Sequence, residues 1–204
     1  MKYFKIVDPN RHSGIVYKEG YNEDPLPFNP SGDCKPGGIY FSGKDILAFL
    51  HFGSDVYEVE PVGEVYENPG YPKKYKAHAV NLKYIGKTSD VKTVKYLIEN
   101  GADINKGGSW ALRTAAEHGH LDVVRFLAEH GVDIHDDEDG ALYAAYYCGH
   151  LGVAKYLVEN GANLHALVTL TADHSIGDIG EVVQATGATF TSDSGLSCLG
   201  YSKG

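Results

Sequence analysis

Residues Ala115–Leu127 read AAEHGHLDVVRFL. The tripeptide Gly119-His120-Leu121 within this stretch recurs thirty residues later as Gly149-His150-Leu151. The phrase that follows, EHGVDI at 129–134, recurs at the same step as ENGADI at 99–104 and ENGANL at 159–164. Because leucine, aromatic and glycine positions keep this register, the second half of the chain is predicted to consist of 30-residue repeats.

Each repeat predicts a pair of short helices. Apolar residues lie at helical spacing on both sides of Gly119, at Ala111, Leu112, Ala115 and Ala116, then at Leu121, Val123, Val124, Phe126 and Leu127. A single pair cannot bury its own apolar side, so the repeats are expected to stack as a solenoid. Gly101, Gly131 and Gly161 follow the second helices, where a left-handed turn favours glycine.

The stretch Ala115–Leu127 and the endings at 100–104 resemble the core of the ankyrin repeat. The resemblance implies an all-α ankyrin-repeat solenoid over residues 80–190, with about three repeats and a shortened C-terminal cap at 172–190. Ankyrin repeats usually run to 33 residues, so the 30-residue step predicts a shortened β-turn finger. Leu82, Tyr84 and Ile85 are expected to form a degraded first helix in repeat one.

Residues 1–79 differ in composition, with many aromatic, proline and glycine residues and no long amphipathic run, and they predict an α+β N-terminal domain. We expect strands at 3–7, 14–17, 38–41, 56–59 and 63–66, a helix at 44–52, and a long proline-rich loop at 21–36. Residues 191–204 are rich in Ser and Gly and are expected to form a flexible tail. Phrases at 17–22, 34–41 and 90–97 resemble the leading segment of ankyrin-repeat proteins of giant amoebal viruses.

Composition narrows the classes of partner. The net charge of −9 argues against nucleic acid, whose phosphates need a basic face, and favours a protein partner with a basic surface. There is no apolar run of the length that a membrane helix needs, and the three cysteines form no C-x-x-C pair. We therefore expect no membrane contact and an intracellular location, which the viral resemblance specifies as host cytoplasm or virus particle.

A second resemblance concerns the N-terminal domain. Gly37–Phe41 and Val59–Val65 are similar to the middle of an ADP-ribosyltransferase. That likeness implies that His12 or Arg11 holds NAD and that Tyr40 stacks on it. No glutamate stands at an unmistakable matching position, and a buried strand tyrosine with a turn histidine explains the same residues.

Metal chemistry has weaker support in the sequence. Asp136–Gly140 begins like a calcium loop, but the twelfth position is Tyr147, where a bidentate glutamate is required. His118 and His120 are two residues apart and are expected to point to different sides. We therefore predict no metal, no cofactor and no catalytic residue.

Partner contacts are expected on the finger tips and on the first helix of each pair, which line the concave side of ankyrin arrays. The predicted partner-binding residues are Trp110, Glu117, His118, Asp136, Asp137, Glu138, Asp139, Tyr143 and Tyr147. The alternative for Trp110 and Tyr143 is that they seal the shortened fingers against the next repeat.

The function that the sequence favours is a non-enzymatic protein-binding module of viral origin. An NAD-dependent transferase that uses the repeats to select targets and a structural role in a virus particle stand as alternatives. The sequence leaves the oligomeric state open.

Overall fold

The computed structural model describes residues 2–9, 15–31 and 35–164. Within these residues an antiparallel sheet occupies the N-terminal part, and helices occupy the part after residue 90. The predicted cap at 172–190 and the tail at 191–204 lie outside the described residues.

The sheet is built around one long hairpin. Strands β4 (Asp55–Asn68) and β5 (Lys74–Lys87) pair along their whole length, with a bulge between Val62 and Val65. Strand β1 (Tyr3–Val7) pairs with β4, whereas β2 (Gly20–Glu23) and β3 (Ile39–Phe41) pair with β5. The strands predicted at 56–59 and 63–66 are therefore two parts of one strand that the bulge divides.

The sheet is curled, so that β1 lies beside β3 as well as beside β4. Phe4 and Ser42 exchange two backbone hydrogen bonds of 2.7 and 2.9 Å. One face of the curled sheet buries a cluster made of Ile39, Phe41, Val59, Tyr75, Ala77, Val80 and Leu82. Tyr3 packs on that cluster, while its neighbour Phe4 packs on the helical side, as the alternation of side chains along a strand requires.

Five helices follow in the described residues: α1 (Val91–Glu99), α2 (Ile104–Glu117), α3 (Leu121–Glu129), α4 (Asp136–Tyr147) and α5 (Leu151–Glu159). The first helices of the pairs, α2 and α4, contact each other, and the second helix α3 contacts both α1 and α5. Gly101, Gly131 and Gly161 have φ values of 104°, 88° and 106°, so the predicted left-handed turns are present after α1, α3 and α5.

A short 3₁₀ helix of the N-terminal part, Ile46–Phe52, packs against α2. Helix α2 thus contacts this 3₁₀ helix as well as α4, the first helix of the next repeat. Gly107 allows this close approach, because a Cβ added there would lie 2.7 Å from the backbone nitrogen of Ala48. The backbone N–H of Asp103 also donates to the carbonyl of Lys44 at 2.7 Å. Ile46, Leu47 and Leu50 thereby belong to the same buried core as the repeats.

The expected boundary at residue 79 is wrong, because it falls inside β5. Leu82, Tyr84 and Ile85 were predicted as a degraded helix, but they form the second half of this strand. Leu82 pairs with Val59 and Tyr84 with Tyr57 of β4, and Ile85 lies at a second register shift of the hairpin, so the backbone here follows a strand and not a helix. Repeat one therefore consists of the second helix α1, preceded by a strand.

Three local expectations also differ from the structure. The predicted helix at 44–52 is the 3₁₀ helix Ile46–Phe52, and residues 15–17 form no strand. The finger before α2 is absent rather than shortened, because the Asp103 side chain accepts a hydrogen bond from the backbone N–H of Asn105 and starts the helix at Ile104. Strand β2 was not predicted because it lies inside the proline-rich segment.

We predict opposite effects of one substitution at two helical glycines. Gly107→Ala should lower the free energy of unfolding by about 1–3 kcal/mol, because the new methyl group meets the backbone of the 3₁₀ helix. Gly152→Ala in α5 should raise it by about 0.5–1 kcal/mol, because no atom lies within 4 Å of the added Cβ. Urea denaturation of both variants measures this difference, and a stabilising Gly107→Ala would contradict the docking of the 3₁₀ helix.

Candidate partner-binding surface

Helix α2 presents one exposed face opposite its buried one. Ala111, Leu112, Ala115 and Ala116 are buried, whereas Lys106, Trp110, Arg113 and Glu117 are exposed at spacings of three and four residues. The predicted finger-tip residue Trp110 thus lies inside a helix. With 59% of its surface exposed, it does not seal one repeat against the next.

The 3₁₀ helix extends this exposed face with aromatic side chains. The ring centroid of His51 lies 6.0 Å from that of Trp110 and 4.2 Å from that of Phe52. Phe52 is itself 55% exposed. Sequence reasoning missed His51 and Phe52, because nothing in the local pattern connects them with a tryptophan far along the chain.

Helix α4 adds two tyrosines one helical turn apart. The rings of Tyr143 and Tyr147 stack with centroids 5.9 Å apart, and Tyr147 is 73% exposed. In the repeat these positions correspond to Arg113 and Glu117 of α2, and the two helices contact each other. We call the exposed residues His51, Trp110, Arg113, Glu117 and Tyr147, together with the half-buried Tyr143, the first-helix surface.

Four acidic residues, Asp136–Asp139, form a turn at the start of α4, and they differ in their exposure and contacts. Asp136 and Glu138 are exposed, and Asp137 forms an ion pair with Arg113 of α2. Asp139 is only 7% exposed and lies 2.9 Å from Nδ1 of His135. The expectation that Asp139 is available to a partner is therefore wrong, because this carboxylate is buried against the preceding histidine.

The backbone of the acidic turn is strained. Asp137, Glu138 and Asp139 have φ values of 54°, 55° and 60°, which place three consecutive side-chain-bearing residues in the left-handed region. Each such residue costs about 1–2 kcal/mol because its Cβ approaches the following carbonyl oxygen. The Arg113 ion pair and the buried Asp139 carboxylate hold the turn in this conformation.

A cleft of about 430 Å³ lies between the 3₁₀ helix and α2, beside the first-helix surface. His51, His118 and His120 line it. The expectation that His118 and His120 point apart is wrong, because Gly119 turns the chain between them and their rings stack with centroids 5.8 Å apart.

The surroundings of His51 and His120 in this cleft disfavour their protonated form. Burial lowers the pKa of His51, and burial followed by the charges of His118 and His150 lowers that of His120. His118 lies 2.9 Å through Nδ1 from the carbonyl of Thr114. Nowhere in the described part of the chain do three or more His, Cys, Asp or Glu residues form a group suited to a metal ion.

Comparison with known proteins agrees with the helix pairs. The family model for ankyrin repeats matches residues 82–167 in three copies. The uncharacterized protein R869 of Acanthamoeba polyphaga mimivirus is 36% identical over 132 residues, which cover 59% of this chain and 93% of the relative. The chain belongs to the ankyrin-repeat proteins.

Two further relatives of this ankyrin-repeat protein come from the same virus. R229 and R896, whose names class them with ankyrin repeat proteins, are 36% and 34% identical over 126 and 134 residues. These matches cover 55% and 59% of this chain, but only 40% and 38% of the relatives. The resemblance to giant-virus ankyrin proteins is therefore confirmed. Ankyrin arrays are binding scaffolds, which makes an interaction module the class of function that the family suggests.

The N-terminal part of this ankyrin-repeat protein contains a second cavity, of about 530 Å³, with Tyr40 on its wall. His12 and Arg11, the other residues that the transferase hypothesis names, lie outside the described residues. Asp24 is the one acidic residue among those that line the cavity, and both of its carboxylate oxygens accept backbone N–H groups. No described lining residue is the glutamate that the transferase hypothesis requires.

The helices of the described segments include none that is long and apolar enough to cross a membrane.

The strained turn yields a stability prediction. Glu138→Gly should raise the free energy of unfolding by about 1 kcal/mol, because glycine adopts a positive φ without the Cβ clash. The matched variant Lys155→Gly, in the regular helix α5, should lower it by a similar amount. Thermal or urea denaturation distinguishes the two, and equal losses in both variants would show that Glu138 is not in the left-handed region.

Proposed function

We propose that this chain is a non-catalytic interaction module that binds another protein through the first-helix surface, on the concave side of a stacked solenoid of repeats. The observation that carries the proposal is the exposure of Trp110 and Tyr147, which are 59% and 73% exposed on two first helices that contact each other. Tryptophan and tyrosine supply much of the binding energy at protein interfaces, because they bury a large area with few rotatable bonds.

The charge around these aromatics supports a partner with a basic surface. Glu117, Asp136 and Glu138 are exposed on or beside the first-helix surface, and the positive charge of Arg113 is balanced by Asp137. The whole chain carries a net charge of −9, which favours encounter with a basic protein and disfavours nucleic acid.

The strained acidic turn supports a recognition role as well. A loop that is already fixed in its bound conformation loses little entropy on binding, so its contacts contribute more fully to affinity. Strained backbone is often found where function requires one fixed conformation. We therefore propose that Asp136 and Glu138 are presented to the partner by this turn.

The relatives suggest where the partner is to be sought. Proteins R869, R229 and R896 belong to a virus of Acanthamoeba, so the proposed partner is a host or viral protein, in the host cytoplasm or in the particle. Capture from infected and uninfected amoebal lysate separates these sources, since a viral partner is present only in the former.

The test compares the wild-type full chain with Trp110→Ala/Tyr147→Ala. We expect the wild type to capture a defined protein and the double variant to bind it at least about thirtyfold more weakly, because a hot-spot residue contributes about 2 kcal/mol or more. The stability of the double variant should change by less than about 1 kcal/mol, since both side chains are mostly exposed. Titration of the purified partner measures the affinity.

Two control variants locate the contact. Tyr84→Ala removes a 40% exposed tyrosine from β5 and should leave the affinity unchanged. Asp136→Lys/Glu138→Lys should weaken binding, whereas the same charge change at Asp122 and Glu129 on the second helix α3 should not. Equal affinity of the wild type and the Trp110→Ala/Tyr147→Ala variant would refute binding through the first-helix surface.

A further inference from the structure

The cavity beside Tyr40 is separate from the first-helix surface. It lies between β1, β3 and the 3₁₀ helix on one side and the segments 15–17, 24–26 and 35–38 on the other. Its volume of about 530 Å³ falls within the range of roughly 300–1,000 Å³ that small-molecule sites occupy.

Most of the cavity wall is apolar. Its aliphatic and aromatic residues come from several of the segments around it and include Phe4, Ile6, Ile15, Leu26, Phe41, Phe49 and Phe52. Phe4 and Ile6 also belong to the core shared with the helices, so the alternation of β1 places Lys5 on the opposite face of the strand, toward Tyr17. Such a wall stabilises a ligand with an extended apolar body, since burying that body removes it from water.

One charged group on β1, the ammonium of Lys5, lies at this apolar wall. Its Nζ donates to the backbone carbonyl of Tyr40 at 2.9 Å and lies 4.4 Å from the ring centroid of Tyr17. Both contacts are with neutral groups, and none of the ion pairs of the described residues includes Lys5. Burial lowers the pKa of Lys5 to about 8, as expected for a cation with no counter-charge among the described residues around it.

The other charged residues around the cavity reinforce this positive character. Lys35 and Lys74 also line it. The single acidic residue among the described lining residues, Asp24, accepts backbone N–H groups from Leu26 at 2.8 Å and from Gly38 at 2.6 Å. Its carboxylate is therefore occupied, and Tyr17, whose pKa is raised to about 12 by burial and by Asp24, remains neutral. The cavity thus carries positive charge in a chain whose net charge is −9.

We propose that this cavity binds an aliphatic carboxylate of the fatty-acid class, with the carboxylate on the Lys5 ammonium and the chain along Ile15 and Leu26. A neutral apolar molecule would bury Lys5 without a counter-charge. A nucleotide would bring several phosphate charges and a polar base to a wall that offers mainly hydrocarbon. A single carboxylate on an apolar chain matches both the charge and the wall.

Calorimetric titration of the full chain with dodecanoate below its micelle-forming concentration, and with dodecanol below its solubility limit, tests the proposal. The two ligands share the same chain and differ in charge. We expect dodecanoate to bind at least about tenfold more tightly near neutral pH, because a hydrogen bond between two charged groups is stronger than one to a hydroxyl. Lys5→Met should abolish this preference while dodecanol still binds, and Lys95→Met, an exposed lysine on α1, should preserve it.

A pH series on the wild type tests the same point without a substitution, should Lys5→Met fail to fold. The affinity for dodecanoate should fall as the pH rises above about 8, through the pKa of Lys5, whereas dodecanol binding stays constant. Failure of dodecanoate to bind, or an unchanged preference in folded Lys5→Met, would overturn the proposal. The Trp110→Ala/Tyr147→Ala variant should bind dodecanoate like the wild type, so this result is independent of the first-helix surface.

Discussion

The contact between the 3₁₀ helix Ile46–Phe52 and helix α2 connects the two parts of this molecule. Repeat one lacks a first helix, because its residues belong to β5, and α2 would otherwise expose an apolar side. The 3₁₀ helix covers that side, and it comes close enough because Gly107 carries no side chain. Repeat arrays need a cap over each terminal apolar face, and here the N-terminal sheet and its short helix supply one.

This contact also determines where the binding surfaces lie. It brings His51 beside Trp110, so the first-helix surface begins in the N-terminal part and continues over α2 and α4. The 3₁₀ helix also contributes Phe49 and Phe52 to the wall of the Lys5 cavity, and Phe52 contacts His51 of the first-helix surface as well. One short helix thus borders both an exposed aromatic surface suited to a protein and a cavity suited to an aliphatic carboxylate.

The repeats could be predicted from the sequence because their signals are local. Helical spacing around Gly119 and the glycines after α1, α3 and α5 depend on neighbouring residues only. The misassigned residues depend on distant partners. Leu82 and Tyr84 follow the repeat register but pair with β4, and Asp139 belongs to an acidic run but is buried beside His135. Neither the Gly107 contact nor the position of Lys5 behind Tyr40 has a local signal, since both arise from the way the sheet closes.

Hydrogen exchange during urea unfolding tests most directly whether the sheet and the repeats share one core. Mass spectrometry follows β4 and β5 alongside α2 and α3, while the fluorescence of Trp110, the single tryptophan, reports on the contact with the 3₁₀ helix. Because one buried cluster joins Phe4 of β1 and Val56 of β4 to the repeats as far as Leu164, and the same hairpin holds the second cluster, we expect all of these segments to lose protection together, at the urea concentration where the fluorescence changes. Loss of protection in the sheet at lower urea, with α2 and α3 still protected, would contradict this account.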